Sequence, residues 1–248
     1  MKFINNLKVK VHEQLIFKFS KISRQGIPAS YLKGEGIEIG ALNHPLKVSP
    51  NTTVRYLDRI SAEDHLAIFK DYQLKDMVKV DIIGNGETLD TVGDSSQDFV
   101  IANHFIEHCQ NPVMTIENML RVLRPGGLIF MAIPDKRHTF DAVRETTDME
   151  HFLRDYREGP AWSEQFHYED FVRKTEWSKD AKTDADIQAV CQHLKDINFS
   201  IHFHVWSHPT MIDFFQMLIH TLKFPFEIIL AVAAHNGSNE SIFILKKQ

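Results

Sequence analysis

Short apolar runs alternate with longer amphipathic stretches from Gly34 onward, and this alternation limits the chain to very few folds. Five of the runs have the length of a β-strand, and each gives way to polar residues or glycine; they span residues 36–40, 53–58, 78–83, 98–103 and 128–133. Strands separated by helical segments pair in parallel, with helices covering both faces of the sheet. The pattern predicts an α/β fold with a doubly wound, mostly parallel sheet.

Two local patterns add a helix and a hairpin to this sheet. Residues 111–123 carry apolar side chains at helical spacing and run into Arg124-Pro125-Gly126-Gly127. Because proline cannot continue a helix and glycine accepts a left-handed turn, the helix should end sharply there. Residues 226–234 and 241–246 flank a turn-forming segment and predict a β-hairpin. The sheet is therefore expected to close with an antiparallel pair.

Composition excludes several classes of protein. The 248 residues include 28 Lys or Arg and 33 Asp or Glu, a net charge of −5, with 43% hydrophobic residues. These proportions indicate a globular protein rather than a disordered chain or a nucleic-acid-binding basic tail. No apolar run reaches the ~18 residues that span a bilayer. The only cysteines, Cys109 and Cys191, form no CxxC pair, which favours a reducing compartment and predicts the cytoplasm.

The first 30 residues read as a segment separate from the main domain, which we place at residues 31–248. Residues 1–25 contain six Lys or Arg and one acidic residue, and their apolar residues recur at steps of three and four. This pattern predicts an amphipathic helix. It packs on its own domain or lies on an anionic membrane surface, and both interpretations stay open.

A long insertion separates the fifth strand from the hairpin. We assign it to residues 138–209, where a parallel sheet needs only a short loop and one helix. Within it, residues 141–186 hold 13 acidic and seven basic residues, a net charge of −6. The segment is predicted to be mainly helical. It is either a solvated helical cap or a lid that covers the ligand crevice and selects the substrate.

The ligand crevice of such a sheet lies at the carboxyl ends of the first strands. After strand one the chain reads Glu38-Ile39-Gly40-Ala41-Leu42 and lacks GxGxxG, which disfavours a dinucleotide. Asp58 follows Glu38 by twenty residues and ends strand two. A carboxylate at this place accepts hydrogen bonds from both hydroxyls of a ribose. A nucleoside-bearing ligand is therefore predicted.

The later loops complete a recognisable set of motifs. They are EIGALxxPL after strand one, GETL after strand three, NHFxEH after strand four, LRPGG before strand five and PDKRxTFD after it. In this order the sequence resembles the class I S-adenosylmethionine-dependent methyltransferases, and the branch similar to methyltransferase type 11 in particular. The resemblance covers about residues 31–248 and implies a seven-stranded sheet with the hairpin as strands six and seven.

The resemblance also implies S-adenosylmethionine as cofactor and a set of residues that hold it. Glu38, Gly40 and Ala41 would lie against the methionine part, Asp58 would hold the ribose, Asn85, Gly86 and Glu87 would flank the adenine, and Asn103 would border the methyl-transfer locus. Two departures from the family pattern stand out. Ala41 and Asn43 replace glycines, and Asn85 replaces an acidic residue.

Methyl transfer to a hydroxyl needs a base, and a neutral imidazole is suited to that role. His104 follows strand four directly and is one candidate; Asp135, and with it His138, follows strand five and is another. His202 and His204 would share one face of a strand, where His204 could be the base and His202 could orient it. The same pair could instead bind a metal, although no further ligand with zinc-like spacing is evident, and no metal residue is assigned.

The sequence therefore predicts a methyltransferase that acts on an oxygen, or alternatively a nitrogen, of a small-molecule or saccharide acceptor. No nucleic-acid partner is expected, and the oligomeric state stays open. Two other classes remain: a non-catalytic binding module that keeps the fold, and a metal-dependent hydrolase built on the histidines.

Overall fold

The computed structural model describes residues 24–68, 73–179, 181, 183–235 and 237–248. The predicted amphipathic helix of residues 1–25 lies almost wholly outside the described residues and stays a prediction. None of the helices among the described residues has the length and apolar character of a membrane-spanning segment.

Seven strands in the described residues form one sheet, which confirms the predicted fold class. They are β1 (Gly34–Ile39), β2 (Thr52–Asp58), β3 (Ile82–Ile83), β4 (Gln97–Ile101), β5 (Leu123–Pro134), β6 (Phe226–Val232) and β7 (Glu240–Lys247). Their order across the sheet is β3-β2-β1-β4-β5-β7-β6. Strands β1 to β5 pair in parallel, whereas β7 is antiparallel to both β5 and β6. The predicted terminal hairpin is confirmed.

Helices connect and cover these strands. They are α1 (Pro28–Tyr31), α2 (Ala62–Ile68), α3 (Pro112–Val122), α4 (Met149–Glu158), α5 (Glu164–Lys174), α6 (Asp184–Asp196) and α7 (His208–His220). Short 3-10 turns lie at Leu74–Asp76, Ile106–His108, Lys136–His138, Phe140–Val143, Pro160–Trp162 and Glu176–Ser178.

Helix α3 shows how local sequence sets the element bounds. Asn111 caps it, because its side-chain oxygen accepts a hydrogen bond from the Met114 amide at 3.0 Å. The helix ends at Val122, as Pro125 and the glycines predict. Strand β5 begins earlier than expected, at Leu123, and its pairing with β4 is irregular where the Arg124–Gly127 segment intervenes.

Strand β3 is shorter than the sequence predicts, two residues rather than six. The amide of Val78 donates to the carbonyl of Leu42 at 2.8 Å, in the loop after β1. This amide is therefore used outside the sheet, and regular pairing with β2 begins only at Ile82.

The sheet is buried on both faces, with the period of two that strands impose. Ile37, Ile39 and Val100 point into a large core that includes α3 and α7. Phe99 and Ile101 point into a second core, which Leu32 and Leu46 help to cover.

The insertion has a hydrophobic core of its own. Tyr168 and Phe171 of α5 pack there with Ile187 and Leu194 of α6. Arg144 is 1% exposed and pairs with Asp141 at 2.8 Å and with Asp170 at 2.7 Å. The acidic excess of this segment therefore includes two carboxylates that hold a buried guanidinium.

Candidate active site

The sheet order places the ligand crevice. Strand β1 lies between β2 and β4. The strands that follow β1 in the chain are thus added first on one side of it and then on the other, and the strand order reverses at β1. In a doubly wound sheet, ligands bind at this reversal, outside the carboxyl ends of the strands. The residues that follow β1, β2, β3 and β4 meet at this edge.

The loop after β1 leaves space at its first turn. Gly40 has φ +65°, and a Cβ atom added to it would meet no atom within 4 Å. The next residue but one, Leu42, also has a positive φ of 48°. The backbone thus turns away from the end of β1 and leaves open room above Gly40.

Glu38 holds this loop in place. Its side chain is buried, and the Leu46 amide lies 3.0 Å from each carboxylate oxygen. Burial raises the pKa of Glu38 to about 7, although the Leu46 amide, Arg24 and the Asn103 side chain each lower it. In the structure Glu38 holds the loop through the Leu46 amide. Its contact with the methionine part of a cofactor stays a prediction.

Asp58 lies at the end of β2, next to that loop. Its Oδ1 accepts a hydrogen bond from the Arg59 amide at 2.7 Å and lies 2.9 Å from His65 Nε2. The residue lines a small pocket together with Ala41, Leu42 and His65. The structure therefore places Asp58 beside the loop after β1, and its ribose-binding role stays a prediction.

The loop after β3 crosses the ends of β1 and β4. A Cβ atom on Gly86 would lie 2.6 Å from Ile39 and 2.7 Å from Phe105, so only glycine fits there. Asn85 is exposed and accepts a hydrogen bond from the Glu87 amide at 2.8 Å. Glu87 turns toward the start of α3 and accepts from the Asn111 amide at 3.3 Å. Burial raises the pKa of Glu87, and its contact with adenine stays a prediction.

His104, at the end of β4, lies between two carboxylates from distant parts of the chain. Its Nε2 is 2.8 Å from Glu240 at the start of β7, and its Nδ1 is 3.4 Å from the buried Glu107. Burial alone would lower its pKa, but the two carboxylates outweigh it and raise the pKa of His104 to about 9. The ring therefore carries a proton at neutral pH in the free protein.

Asn103 precedes His104 and ties three strands together. Its side-chain oxygen accepts from the Ala132 amide of β5 at 3.1 Å, and its amide group hydrogen-bonds Glu38 of β1. It thus fixes the edge at which methyl transfer is predicted.

Asp135 has a different environment from the one that a base needs. The carboxylate is completely buried and accepts from the Arg137 guanidinium at 2.6 and 2.9 Å and from the His208 amide at 3.0 Å. Burial would raise its pKa, yet these donors lower it. A carboxylate with a lowered pKa is a weak proton acceptor, so the geometry disfavours this candidate.

The prediction that His202 and His204 lie on one strand is wrong. Residues 201–207 form an irregular segment, because their amides bond to loops such as the Glu107 carbonyl rather than to a neighbouring strand. The two rings enter different clusters. His202 pairs with Asp141 at 2.7 Å, whereas His204 lies among His151, Asp155 and His167.

His204 is also poorly placed to exchange protons with solvent, since its side chain is fully buried. Burial, together with the neighbouring His167 and His151, lowers its pKa well below the ordinary value. Its role as a base stays a prediction that the geometry disfavours.

Comparison with known proteins identifies the central segment. Residues 54–131 match the family model described as a methyltransferase domain. This segment runs from β2 into β5 and contains Asp58, the loop after β3 and His104. Residues 54–131 are therefore identified as a methyltransferase domain. None of the curated proteins compared with the chain matches it.

Solved structures of low sequence identity align with most of the chain. One from Thermotoga maritima, described as a SAM-dependent methyltransferase and possible histamine N-methyltransferase, is 17% identical, covers 100% of this chain and 97% of its own, and has a TM-score of 0.46. One described as the PH0226 protein of Pyrococcus horikoshii is 14% identical with shares of 98% and 91% and a TM-score of 0.43. One from Methanosarcina mazei, described as SAM-dependent methyltransferases, is 17% identical, covers 86% of this chain and 92% of its own, and has a TM-score of 0.40. The identification rests on the family match.

The described residues fit the cofactor of a methyltransferase, S-adenosylmethionine. Open room above Gly40 and a carboxylate at Asp58 occur at the edge where this sheet order brings ligands. The cofactor-binding roles of the individual residues stay predictions.

Several residues of this edge were not found by sequence reasoning. Glu107 was only part of a motif, and Glu240 fell between the predicted turn and the last predicted strand, yet both raise the pKa of His104. Within the insertion, His151 and Asp155 are spaced i, i+4 on α4, which was the one available signal of a cluster.

Proposed function

We propose that this methyltransferase transfers a methyl group to a hydroxyl oxygen of a saccharide-like or other small acceptor, with nitrogen as the alternative. The observation that supports this proposal is His104, held between Glu107 and Glu240 at the end of β4. A hydroxyl must lose its proton when it is methylated, and an imidazole of raised pKa is a strong acceptor once it is deprotonated.

The cofactor supplies a methyl group that its positive sulfur has already activated. The chain then has to position the acceptor in line and remove one proton. In this proposal Gly40, Ala41 and Asp58 hold the cofactor together with Asn85, Gly86, Glu87 and Asn103. Glu38 shapes the loop on which the first two lie.

Exposed apolar side chains near the carboxyl edge support an acceptor with a ring. Phe140 is 54% exposed and Val143 67% exposed, directly after the Asp135–His138 segment that follows β5. The aliphatic face of a sugar ring packs well on an aromatic side chain. Arg137 and His138 are exposed beside them and offer donors to sugar oxygens.

The insertion of residues 138–209 acts as the lid of this site in our proposal. Its residues 201–208 run beside the loops after β4 and β5, since the amide of Phe203 donates to Glu107 and the amide of Lys136 donates to Trp206. A structural change in the insertion can therefore alter the loops after β4 and β5, where we propose that the acceptor binds.

The test is transfer of a labelled methyl group from S-adenosylmethionine to saccharides, each paired with a derivative that lacks one hydroxyl. We expect a methyl ether whose formation disappears with the correct deoxygenated derivative. Because His104 must lose its proton to accept another, kcat/KM should rise with pH up to about 9. His104→Gln should remove this rise and lower kcat/KM by about 10²–10⁴-fold.

His220→Gln is the control, since this exposed histidine ends α7 and has no role in the proposed site; it should keep the wild-type pH profile. A wild-type profile that is flat between neutral pH and pH 9 would contradict the role of His104. Cofactor binding without transfer to any acceptor, including those in a cell extract, would instead support a non-catalytic binding module.

The proposed location is the cytoplasm. Cys109 and Cys191 are both free and buried, a state that is usual in a reducing compartment.

A further inference from the structure

Four potential metal ligands meet inside the insertion, in a cluster that does not include His104, Glu107 or Glu240. They are His151 and Asp155 of α4, His167 of α5, and His204 of the 201–207 segment. One ligand atom from each lies within 4.8 Å of those of the other three. Asp155, His167 and His204 are buried, and the His151 side chain is 11% exposed.

The measured separations approach those of a tetrahedral site. Bonds of about 2.0–2.1 Å to zinc place neighbouring ligand atoms roughly 3.3 Å apart. His151 Nε2 lies 2.9 Å from His167 Nε2 and 3.3 Å from Asp155 Oδ2. His204 Nε2 lies 3.6 Å from the same oxygen.

One carboxylate oxygen of the cluster also lacks a hydrogen-bond donor. Asp155 Oδ2 is fully buried and makes no hydrogen bond among the described residues, although it faces two imidazoles. A buried carboxylate oxygen without a donor is strongly unfavourable. A cation at the centre of the cluster would satisfy it.

His204 shows the same deficit whichever ring nitrogen carries the proton. With the proton on Nε2, which lies 3.3 Å from the Gln110 carbonyl, Nδ1 is a buried acceptor without a partner in the described residues. With the proton on Nδ1, the Nε2 lone pair faces the oxygens of Gln110 and Asp155. A cation bound at Nε2 removes the repulsion of the second arrangement.

We propose that His151, Asp155, His167 and His204 bind one divalent cation of the zinc class. Three imidazoles and one carboxylate suit a borderline ion such as Zn²⁺ rather than Mg²⁺ or Ca²⁺. Four protein ligands leave no open position, which is the mark of a structural site rather than a hydrolytic one.

Neighbouring residues already orient these ligands. Ser163 Oγ donates to Asp155 Oδ1 at 3.0 Å, so Oδ2 is the oxygen turned to the cluster. The carbonyl of Asp155 accepts from Asn111, the residue that caps α3. The ion would therefore join α4, α5 and the 201–207 segment, and would hold the insertion against the domain.

The experiment uses the full chain without an affinity tag, freed of metal by a chelator and titrated with Zn²⁺ and with Co²⁺. We expect one equivalent to bind, the visible absorption of tetrahedral Co²⁺ to appear, and Tm to rise. His167→Gln should weaken Zn²⁺ binding by more than about 100-fold, whereas Ser163→Ala, which removes an outer partner, should weaken it about 10–100-fold.

His193→Ala is the control, since this histidine is exposed on α6 of the same insertion. It should bind Zn²⁺ like the wild type. Asp155→Asn provides a second variant if His167→Gln does not fold, as judged by circular dichroism. Absence of a stoichiometric ion, or unchanged binding in these two variants, would overturn the proposal. So would binding that is lost only in His202→Ala, which belongs to the separate Glu107–His108–His202 cluster.

Discussion

At the scale of single residues, the protonation of buried groups is the feature that the sequence conceals most. Glu38 and His104 lie at the ends of neighbouring strands, and the pKa of each is raised. The retained proton makes Glu38 neutral but makes His104 positively charged. Burial keeps Glu38 protonated to higher pH, whereas carboxylate partners keep His104 protonated. Each residue is therefore neutral or charged because of its neighbours rather than its type.

Glu38 gives a prediction for stability. Its folded pKa of about 7 exceeds the ordinary 4.5, so its contribution is fully present below pH ~4.5 and is lost as pH rises through about 7. The free energy of unfolding should fall by about 3 kcal/mol more in the wild type than in Glu38→Gln between those limits. Urea unfolding at pH 5 and pH 8 measures the difference.

Glu35→Gln provides the comparison, because this glutamate is exposed on the same strand. It should follow the wild-type pH dependence. If Glu38→Gln follows it as well, then the Glu38 carboxyl is ionised in the folded protein at neutral pH.

At the scale of elements, the insertion is held by polar contacts that are unusually well buried. Arg144 lies between Asp141 and Asp170 and joins the segment after β5 to α5. Removing one member of a buried ionic group leaves the others without a partner, which typically costs about 3–5 kcal/mol. The insertion is thus a packed unit rather than a solvated loop.

Arg144→Met should accordingly destabilise the insertion by about 3–5 kcal/mol. Because Arg144 does not contact Asp58 or the loop after β1, cofactor binding should persist while turnover falls. Hydrogen exchange in α5 and calorimetry with S-adenosylhomocysteine report the two effects separately.

Lys179→Ala is the matched surface change, since its pair with Glu176 is largely exposed. Such a pair contributes about 0–1 kcal/mol. Wild-type turnover in Arg144→Met would show that the insertion does not act as a lid.

At the scale of the whole molecule, the order of the strands assembles the site. His104 and Glu240 are 136 residues apart in the chain and 2.8 Å apart in the structure. They meet because β7 enters the sheet next to β5 and places its first residue at the carboxyl edge. The same order puts Asp58 beside the loop after β1.

Cofactor binding should depend on that placement. A carboxylate that accepts hydrogen bonds from ribose hydroxyls contributes about 1.5–3 kcal/mol, so Asp58→Ala should raise the Kd for S-adenosylmethionine by about 10–150-fold. Isothermal titration with S-adenosylmethionine and S-adenosylhomocysteine measures this, with the exposed Asp90→Ala as control. An unchanged Kd in Asp58→Ala would remove Asp58 from the site.

The sequence alone determined the fold class, the terminal hairpin and the methyltransferase assignment, because periodicity, helix ends and short motifs are local properties. It failed at residues 201–207, where alternating apolar and histidine residues suggested a strand. The segment instead bonds to loops after β4 and β5, and nothing in its own residues indicates those partners.

Only the tertiary structure decided which histidine meets which carboxylate. His104 meets Glu107 and Glu240, His202 meets Asp141, and His204 meets Asp155. These contacts join residues from separate elements, and they set burial and charge at each ring. The protonation of these rings and their grouping into clusters therefore depend on packing between distant parts of the chain.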